Sequence, residues 1–475
     1  MRLALFTCAI SLLAAGLVGC NDPCADGTCL FTASEWKRLQ SLADLGDPPP
    51  DPSNKYAGHP LAEKLGQRLY FDPGFSGDAT LLDMLRRPAP YARAPKGMPT
   101  AISCATCHNP ARAGADFTST PAHVSIGAGW YDVNSQQTLN AGFWTLMYWN
   151  GRNDSVWSQI VAVTESFVSM ASNRLKVAWR LYTVYRAEYD AVFPEYPLPF
   201  DAADASARFP LQGRPGAHEG CQAGDPTEPF GDAFDCMTTA DQHTITRIYV
   251  NFAKAIAAYE HRLVSKNALF DRFVAAGPKS DLLTPEQKRG AQLFVSKANC
   301  IDCHNTPLFS DNGFHNIGIA QQGDAVPTEN DCPQGGVCDC VNGKNCLPWG
   351  AWDGLTKLRA NGFRRTSEWS DDPSDTSRAS FYDLPVDDRY KGAWRTPSLR
   401  DVELTAPYMH NGVYATLEDV LWHYAQGGAI AGPTVGQKSV HIAPLHLSDD
   451  EQRAIIAFLR SLTGEALPIE LVTKP

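Results

Sequence analysis

Two pentapeptides, Cys104-Ala105-Thr106-Cys107-His108 and Cys300-Ile301-Asp302-Cys303-His304, hold the residue types in this chain best suited to chemistry. Cysteines three apart lie on one side of a helical turn, where both thiols reach the same planar partner. A histidine directly behind them is placed to ligate a metal at the centre of that partner. The pattern reads as attachment of a c-type haem, with thioethers from Cys104, Cys107, Cys300 and Cys303 and proximal ligation by His108 and His304. Cys-x-x-Cys pairs also build zinc sites. One zinc shared between these pairs would leave both histidines without a role and would have to unite pairs far apart in the chain. A thioredoxin-like dithiol needs a βαβ setting that neither pair has.

Haem attachment of this kind belongs outside the cytoplasm, and the N-terminus agrees. Arg2 precedes an apolar run from Leu3 to Val18, which suits a signal peptide and is short for a membrane span. The run closes on Leu17-Val18-Gly19-Cys20, which resembles a bacterial lipobox. Residues 1–19 are expected to be a lipoprotein signal peptide, and lipidated Cys20 to anchor a periplasmic protein without spanning the membrane. Ordinary cleavage that leaves Cys20 a thiol is the other reading. Of the 14 cysteines, Cys8 leaves with the signal peptide, Cys20 takes lipid and four hold haem. The remaining eight group as Cys24 with Cys29, Cys221 with Cys236, and a cluster of Cys332, Cys338, Cys340 and Cys346. An even remainder in an exported chain suggests four disulfides, with pairing in the last cluster open and a small metal site there as the alternative. A net charge of -11 argues against a nucleic-acid partner.

The elements that must position these motifs read as mainly α. Residues 20–54 look like a tether, a small cysteine loop followed by the Pro-rich Gly46–Pro52 stretch. Then comes an internal echo: Leu65-Gly66-Gln67-Arg68-Leu69-Tyr70-Phe71 is similar to Arg289-Gly290-Ala291-Gln292-Leu293-Phe294-Val295, and each precedes a haem motif. Each glycine is expected to let its helix cross another closely. The echo predicts two cytochrome c-like haem domains with long loops, residues 55–280 and 281–475, carrying cysteine-bearing insertions near 200–240 and 325–360. Thr284-Pro285-Glu286-Gln287 reads as a capping box with Pro at the first helical position, and Ser448 caps a helix carrying Ile455, Ile456, Leu459 and Leu462. Apolar residues from Ile245 to Leu263 recur at helical spacing over residues 241–264, a pattern of core packing.

Further segments carry a family resemblance: Leu65–Asp72, Trp149-Asn150-Gly151-Arg152, Phe314–Gly318, Arg395–Arg400 and Thr405–Gly412. From about residue 58 to 465 the chain resembles the bacterial di-haem cytochrome c peroxidase and MauG family. The resemblance implies that peroxide meets the N-terminal haem and that the C-terminal haem stores or passes electrons. Many of the peroxidases carry a distal histidine at the position occupied here by Ala128, in Ser125-Ile126-Gly127-Ala128. The first haem is therefore expected to be five-coordinate and open to peroxide without reductive activation, with His123 as the residue able to overturn this. Tyr424, twelve residues past Gly412, falls where the peroxidases carry a methionine ligand and MauG a tyrosine; His423 and Met409 are the alternatives. A phenolate ligand stabilises ferric iron and lowers the potential.

Trp149 matches the tryptophan between the two haems, a candidate relay, and Gln159 a glutamine of the distal pocket. Ser169 stands where the family has the glutamate that moves a proton during O–O cleavage. Glu165, four residues earlier, is the candidate replacement if the segment is helical. Arg395 and Arg400 are expected to pair with haem propionates. Thr405 and Pro407 match carbonyl ligands of a calcium ion between the domains, with a side-chain ligand near Asn134 and Ser135. The expected activity is that of a di-haem oxidoreductase using hydrogen peroxide, with electrons drawn from a periplasmic redox protein. A MauG-like enzyme would instead oxidise Tyr or Trp side chains of a partner protein. A third reading, a non-catalytic di-haem electron carrier, gains from the missing glutamate and conflicts with an open iron site.

Overall fold

A computed structural model describes residues 30–78, 98–116, 119, 127–128, 133–216, 231–320, 338–340, 346–428 and 434–475. The expected signal peptide, Cys20, the Cys24–Cys29 pair and His123 lie outside the described residues, as does much of both cysteine-bearing insertions. The longer helices are α1 (Ala33–Gln40), α2 (Pro60–Tyr70), α3 (Val156–Glu165), α4 (Arg174–Val184), α5 (Thr239–Glu260), α6 (Leu269–Ala276), α7 (Pro285–Val295), α8 (Ala351–Ala360), α9 (Leu417–Ala425) and α10 (Asp449–Arg460). Sheet is slight. Strand β1 (Phe314–His315) pairs antiparallel with β4 (Trp394–Arg395), and β2 (Cys338–Cys340) with β3 (Cys346–Pro348), which sets Cys340 opposite Cys346. No described helix is long and apolar enough to cross a membrane.

The capping signals sit where the sequence puts them. Thr284 Oγ1 accepts from Gln287 N–H and the Gln287 side chain returns the bond, with Pro285 opening α7. Ser448 and Glu451 do the same for α10. The long apolar stripe forms α5, which stops at Glu260, short of 264. Leu263 nevertheless stays buried beyond the helix end.

Two close helix crossings organise the molecule. A Cβ at Gly66 of α2 would lie 1.9 Å from the Ala255 carbonyl oxygen of α5, and one at Gly290 of α7 would lie 1.9 Å from that of Ala454 in α10. Only glycine lets the backbones approach this far. Around the first crossing α3 and α4 build one core with Trp157, Leu181 and Phe252; around the second, α1, α6 and α9 build another with Phe273, Phe294 and Phe458.

The chain ends depart from expectation. Residues 31–54 are not a free tether. Phe31, Trp36, Leu39 and Leu42 are buried in the second core, Trp36 edge-on to Phe273 at 5.6 Å. Ser53 and Asn54 are then buried against the first half, where Ser53 Oγ accepts from the Trp157 indole at 2.9 Å. The Pro-rich composition hides a short amphipathic helix whose apolar face outweighs it. The C-terminal tail crosses the other way: Gln67 Nε2 donates to the carbonyls of Glu470, Leu471 and Thr473. Residues 31–42 and the C-terminal tail thus each pack on the opposite half.

Candidate haem sites

The first cysteine motif forms a single helical turn, Cys104–Cys107, in which Ser103 N–H donates to Thr106 Oγ1 at 3.0 Å. The chain leaves the turn at His108, whose ring Nδ1 lies 3.2 Å from the Gly114 carbonyl oxygen. A carbonyl can only accept, so the Nδ1 carries the proton and Nε2 keeps its lone pair for a metal. Burial holds the ring below its usual pKa, in the neutral form that ligation requires. Tyr70 steadies the segment by donating its hydroxyl to the His108 carbonyl at 2.5 Å.

Cys104, Cys107 and His108 open onto a cavity of about 1130 Å³, its mouth included, that Trp149, Gln159 and Arg395 also line. Neither cysteine is in a disulfide. Arg395 is 2% exposed, its guanidinium lies 3.6 Å from the Trp144 ring centre, and its Nη1 has no hydrogen-bond partner. Burial pulls its pKa down to about 9. A buried cation with an orphaned donor wants an anion, and a haem propionate fits. Two thiols outside any disulfide, a neutral imidazole and this arginine are the donor set a c-type haem needs.

The distal expectations separate. Ala128 N–H donates to the Ser169 carbonyl at 2.7 Å, and Gly127 beside it lines the cavity, packed so tightly that a Cβ would meet the Val168 and Ser169 carbonyls. Alanine offers nothing to a metal there. Ser169 also lines the cavity, its hydroxyl 3.2 Å from Ser166 Oγ.

Glu165 does not join them. It is the last residue of α3, and its carboxylate takes the Arg174 backbone N–H at 3.1 Å and the guanidinium Nε and Nη2 at 3.0 and 2.9 Å. Four-residue helical spacing from Ser169 suggests the pocket; the helix end and the N-terminus of α4 decide otherwise, since a carboxylate is stabilised at a helix N-terminus and beside a guanidinium. The acid that does line the cavity is Glu260, the last residue of α5, which sequence reasoning left inside a core stripe.

The second motif forms a 3-10 turn, Cys300–Asp302, and His304 Nδ1 lies 2.7 Å from the Phe309 carbonyl oxygen. This repeats the first site's tautomer, again with burial holding the ring neutral. Tyr424 of α9 is within electrostatic reach of Cys300 and Cys303, and burial first, then those cysteines, hold its phenol well above the usual value. It stays protonated unless a cation such as iron compensates the phenolate. His423 is committed elsewhere: it is 0% exposed, with Nδ1 3.1 Å from Tyr414 Oη and Nε2 2.9 Å from the Ile317 carbonyl oxygen. Met409 sits in a turn with φ +72°, closed by Gly412 N–H to its carbonyl at 3.1 Å.

Arg400 differs from Arg395. Its guanidinium grips Asp271 through Nη1 at 2.8 Å and Nη2 at 3.0 Å, and its Nε donates to the Pro307 carbonyl. It is a satisfied structural arginine, not one waiting for a propionate. His315, unremarked in the sequence, donates to Asp311 at 2.7 Å and lies beside Cys303; those partners push it up to about 10. The donor atoms of Cys303, Asp311 and His315 lie within 4.8 Å of one another, but a thioether would occupy the sulfur, so the trio is a charged edge to the second site.

Trp149 joins the two regions. Its indole donates to the Asn134 carbonyl at 2.8 Å and its own carbonyl accepts from Arg395 N–H at 2.8 Å. Asn134 N–H donates to the His410 carbonyl at 2.7 Å, His410 stacks on Trp394 at 4.1 Å, and Trp394 is the strand partner of His315. The Asn134 side chain is 2.6 Å from the Pro407 carbonyl oxygen, and its buried Oδ1 has no partner.

Residues 60–212 match the family described as di-haem cytochrome c peroxidase. The chain is 29% identical over 431 residues to cytochrome-c peroxidase IdrP2 of Pseudomonas sp. (strain SCT), covering 90% of this chain and 88% of that one. It is 28% identical over 479 residues to the methylamine utilization protein MauG of Methylorubrum extorquens, covering 98% of each. Among solved structures, a MauG-like protein associated with microbial copper homeostasis shares the fold with a TM-score of 0.57 at 21% identity, over 91% of this chain and 97% of that one.

Proposed function

We propose, from its likeness to the di-haem cytochrome c peroxidase and MauG family, that the chain reduces hydrogen peroxide at a haem held by Cys104, Cys107 and His108. Cys300, Cys303 and His304 would hold a second haem that would supply electrons drawn from a periplasmic protein donor. Trp149, bonded to Asn134 and Arg395, is the candidate relay on the segments joining the two sites. The observation that carries this reading is Ala128, hydrogen-bonded to the Ser169 carbonyl and next to Gly127 of the cavity wall, where a ligating side chain would close the site. When bound, the first haem supplies the redox chemistry on peroxide. The chain's own residues hold and shape it: His108 is fixed by Gly114, Arg395 takes a propionate, and Gln159 supplies an amide that orients peroxide by hydrogen bonding. Ser169 offers no titratable group for proton transfer, so turnover is expected to be slower than with a carboxylate at that position.

Calcium belongs to the same proposal. The orphaned Asn134 Oδ1 and the Pro407 carbonyl are hard oxygen donors on neighbouring segments, and turning the amide over brings both to a shared cation. Export and anchoring through lipidated Cys20 complete the reading, with mass spectrometry of the mature N-terminus as the check.

Tyr424 favours a second reading, a MauG-like enzyme that oxidises Tyr or Trp residues of a partner protein. Mixing the di-haem protein with a reduced small c-type cytochrome and peroxide separates the two. Rapid cytochrome oxidation supports the peroxidase. Peroxide reactivity without cytochrome turnover supports the MauG-like enzyme, and no reaction with peroxide in any redox state overturns both in favour of an electron carrier.

A further inference from the structure

The two helix crossings align residue by residue through their contacts, Gly66 on Ala255 and Gly290 on Ala454. On that register Tyr70 corresponds to Phe294, Tyr259 to Phe458 and Glu260 to Leu459. The geometry is kept: ring centres of Tyr70 and Tyr259 are 5.1 Å apart at 65°, those of Phe294 and Phe458 5.3 Å at 62°. The chemistry is not. Glu260 is 6% exposed and lines the first cavity, whereas Leu459 is 5% exposed and packs in the second core. Glu260 is the one acidic side chain among the described residues that line this cavity.

Nothing described neutralises it. Tyr70 faces Glu260 from α2, Tyr259 from its own helix and Cys104 from the haem turn, and each of these is neutral or anionic. Most cations of α5 and the helices packed on it pair elsewhere: Arg174, Lys176 and Arg180 of α4 with Glu165, Asp78 and Asp72, and Arg68 of α2 with Glu188. Lys254 pairs with Asp371 and Arg262, just past α5, with Glu63, while Lys64 of α2 is exposed. His261, next in the chain, is held neutral by burial. His108 and Arg395 share the cavity wall. Burial alone pushes the Glu260 carboxyl up to about 8, so small changes of charge in the cavity move its protonation near neutral pH.

We propose that Glu260 is the proton partner of the first haem. When one electron enters that haem from a one-electron donor, the Glu260 carboxylate takes one proton from solvent and forms its O–H bond; when the electron leaves, the proton returns to solvent. The sign follows from Coulomb's law, since an added electron in a low-dielectric cavity raises the proton affinity of a neighbouring carboxylate. Peroxide reduction consumes two protons with its two electrons, and this carboxyl stores one of them beside the reacting centre. The second site, with Leu459 at the matching place, moves its electron without this proton.

The inference rests on the first cavity holding a haem, and the test separates the two claims. Potentiometric titration of the di-haem protein, followed by absorbance and EPR, gives the first haem's midpoint potential across about two pH units on either side of neutrality. The expected result is a fall with rising pH that approaches tenfold in the redox equilibrium per unit, or 59 mV for a one-electron couple. Glu260→Gln flattens the line, and Glu260→Asp restores a slope at a displaced pH. A flat wild-type line, or a slope unchanged in Glu260→Gln, overturns the role of Glu260. Fewer than two covalently attached haems per chain, counted by haemochrome absorbance, overturns instead the reading on which it rests.

Discussion

One half of this molecule surrounds its cysteine pair with Tyr70, Tyr259, Glu260 and an unsatisfied Arg395; the other surrounds its pair with Phe294, Phe458 and Leu459 and satisfies Arg400 fully. The backbone plan is common to both, because a glycine contact fixes each crossing and a carbonyl five or six residues on fixes each histidine. What differs is the lining. A cavity lined by an ionisable carboxyl suits a site where bonds to oxygen and protons change, and an apolar residue at the matching place suits an electron that arrives and leaves alone. The same fold can thus divide labour by a few substitutions on facing helix surfaces.

The largest effect that would break this comparison comes from the cysteines. Removing both Cys104 and Cys107 by substitution with Ala should cost one haem by intact mass and abolish the absorbance change on adding peroxide. The same change at Cys300 and Cys303 should cost one haem yet leave a peroxide response at the other. If the two double variants behave alike, the halves do not differ in role.

Tyr424→Met sharpens the contrast from the second side. Exchanging phenolate for thioether should raise the second haem's potential on the order of 0.2 V, within the roughly 0.8 V that axial ligation spans, and leave the first haem's potential in place. An unmoved second potential would remove Tyr424 as the ligand and turn attention to Met409, since His423 has both ring nitrogens engaged.

Gly66→Ala and Gly290→Ala test the shared plan. Each new methyl would lie 1.9 Å from a carbonyl oxygen, and about 3 kcal/mol of stability should be lost in urea unfolding of either variant. Smaller still, Ser169→Glu should speed peroxide-dependent turnover about 10²-fold, the lower range for general acid–base assistance. Glu165→Gln should leave turnover unchanged and weaken only the α3–α4 junction, because its partner is Arg174.

Much of this was legible locally. Cys-x-x-Cys-His, the Gly66 and Gly290 echo and the caps at Thr284 and Ser448 are short patterns whose physics acts within a turn or two; the structure sets each cysteine pair on a tight turn and places the crossings and caps as read. Features set by distant partners were not. Arg400 is satisfied by Asp271, 129 residues away, so spacing near Arg395 suggested a likeness the partners deny. Glu165 and Glu260 both end helices; one meets the start of α4 and the other a cavity, and periodicity alone treats them as equivalent. Phe31, Trp36, Leu39 and Leu42 find their core only in the second half of the chain, and a Pro-rich neighbour masked them.

The central claim is that the first site stands open in its oxidised form while the second answers it through Trp149. Titrating the fully ferric di-haem protein with hydrogen peroxide, without reductant and followed by absorbance, tests that most directly. Rapid change at both haems is the predicted result. No change until one haem is reduced would mean that a ligand closes the first site, and would contradict the claim.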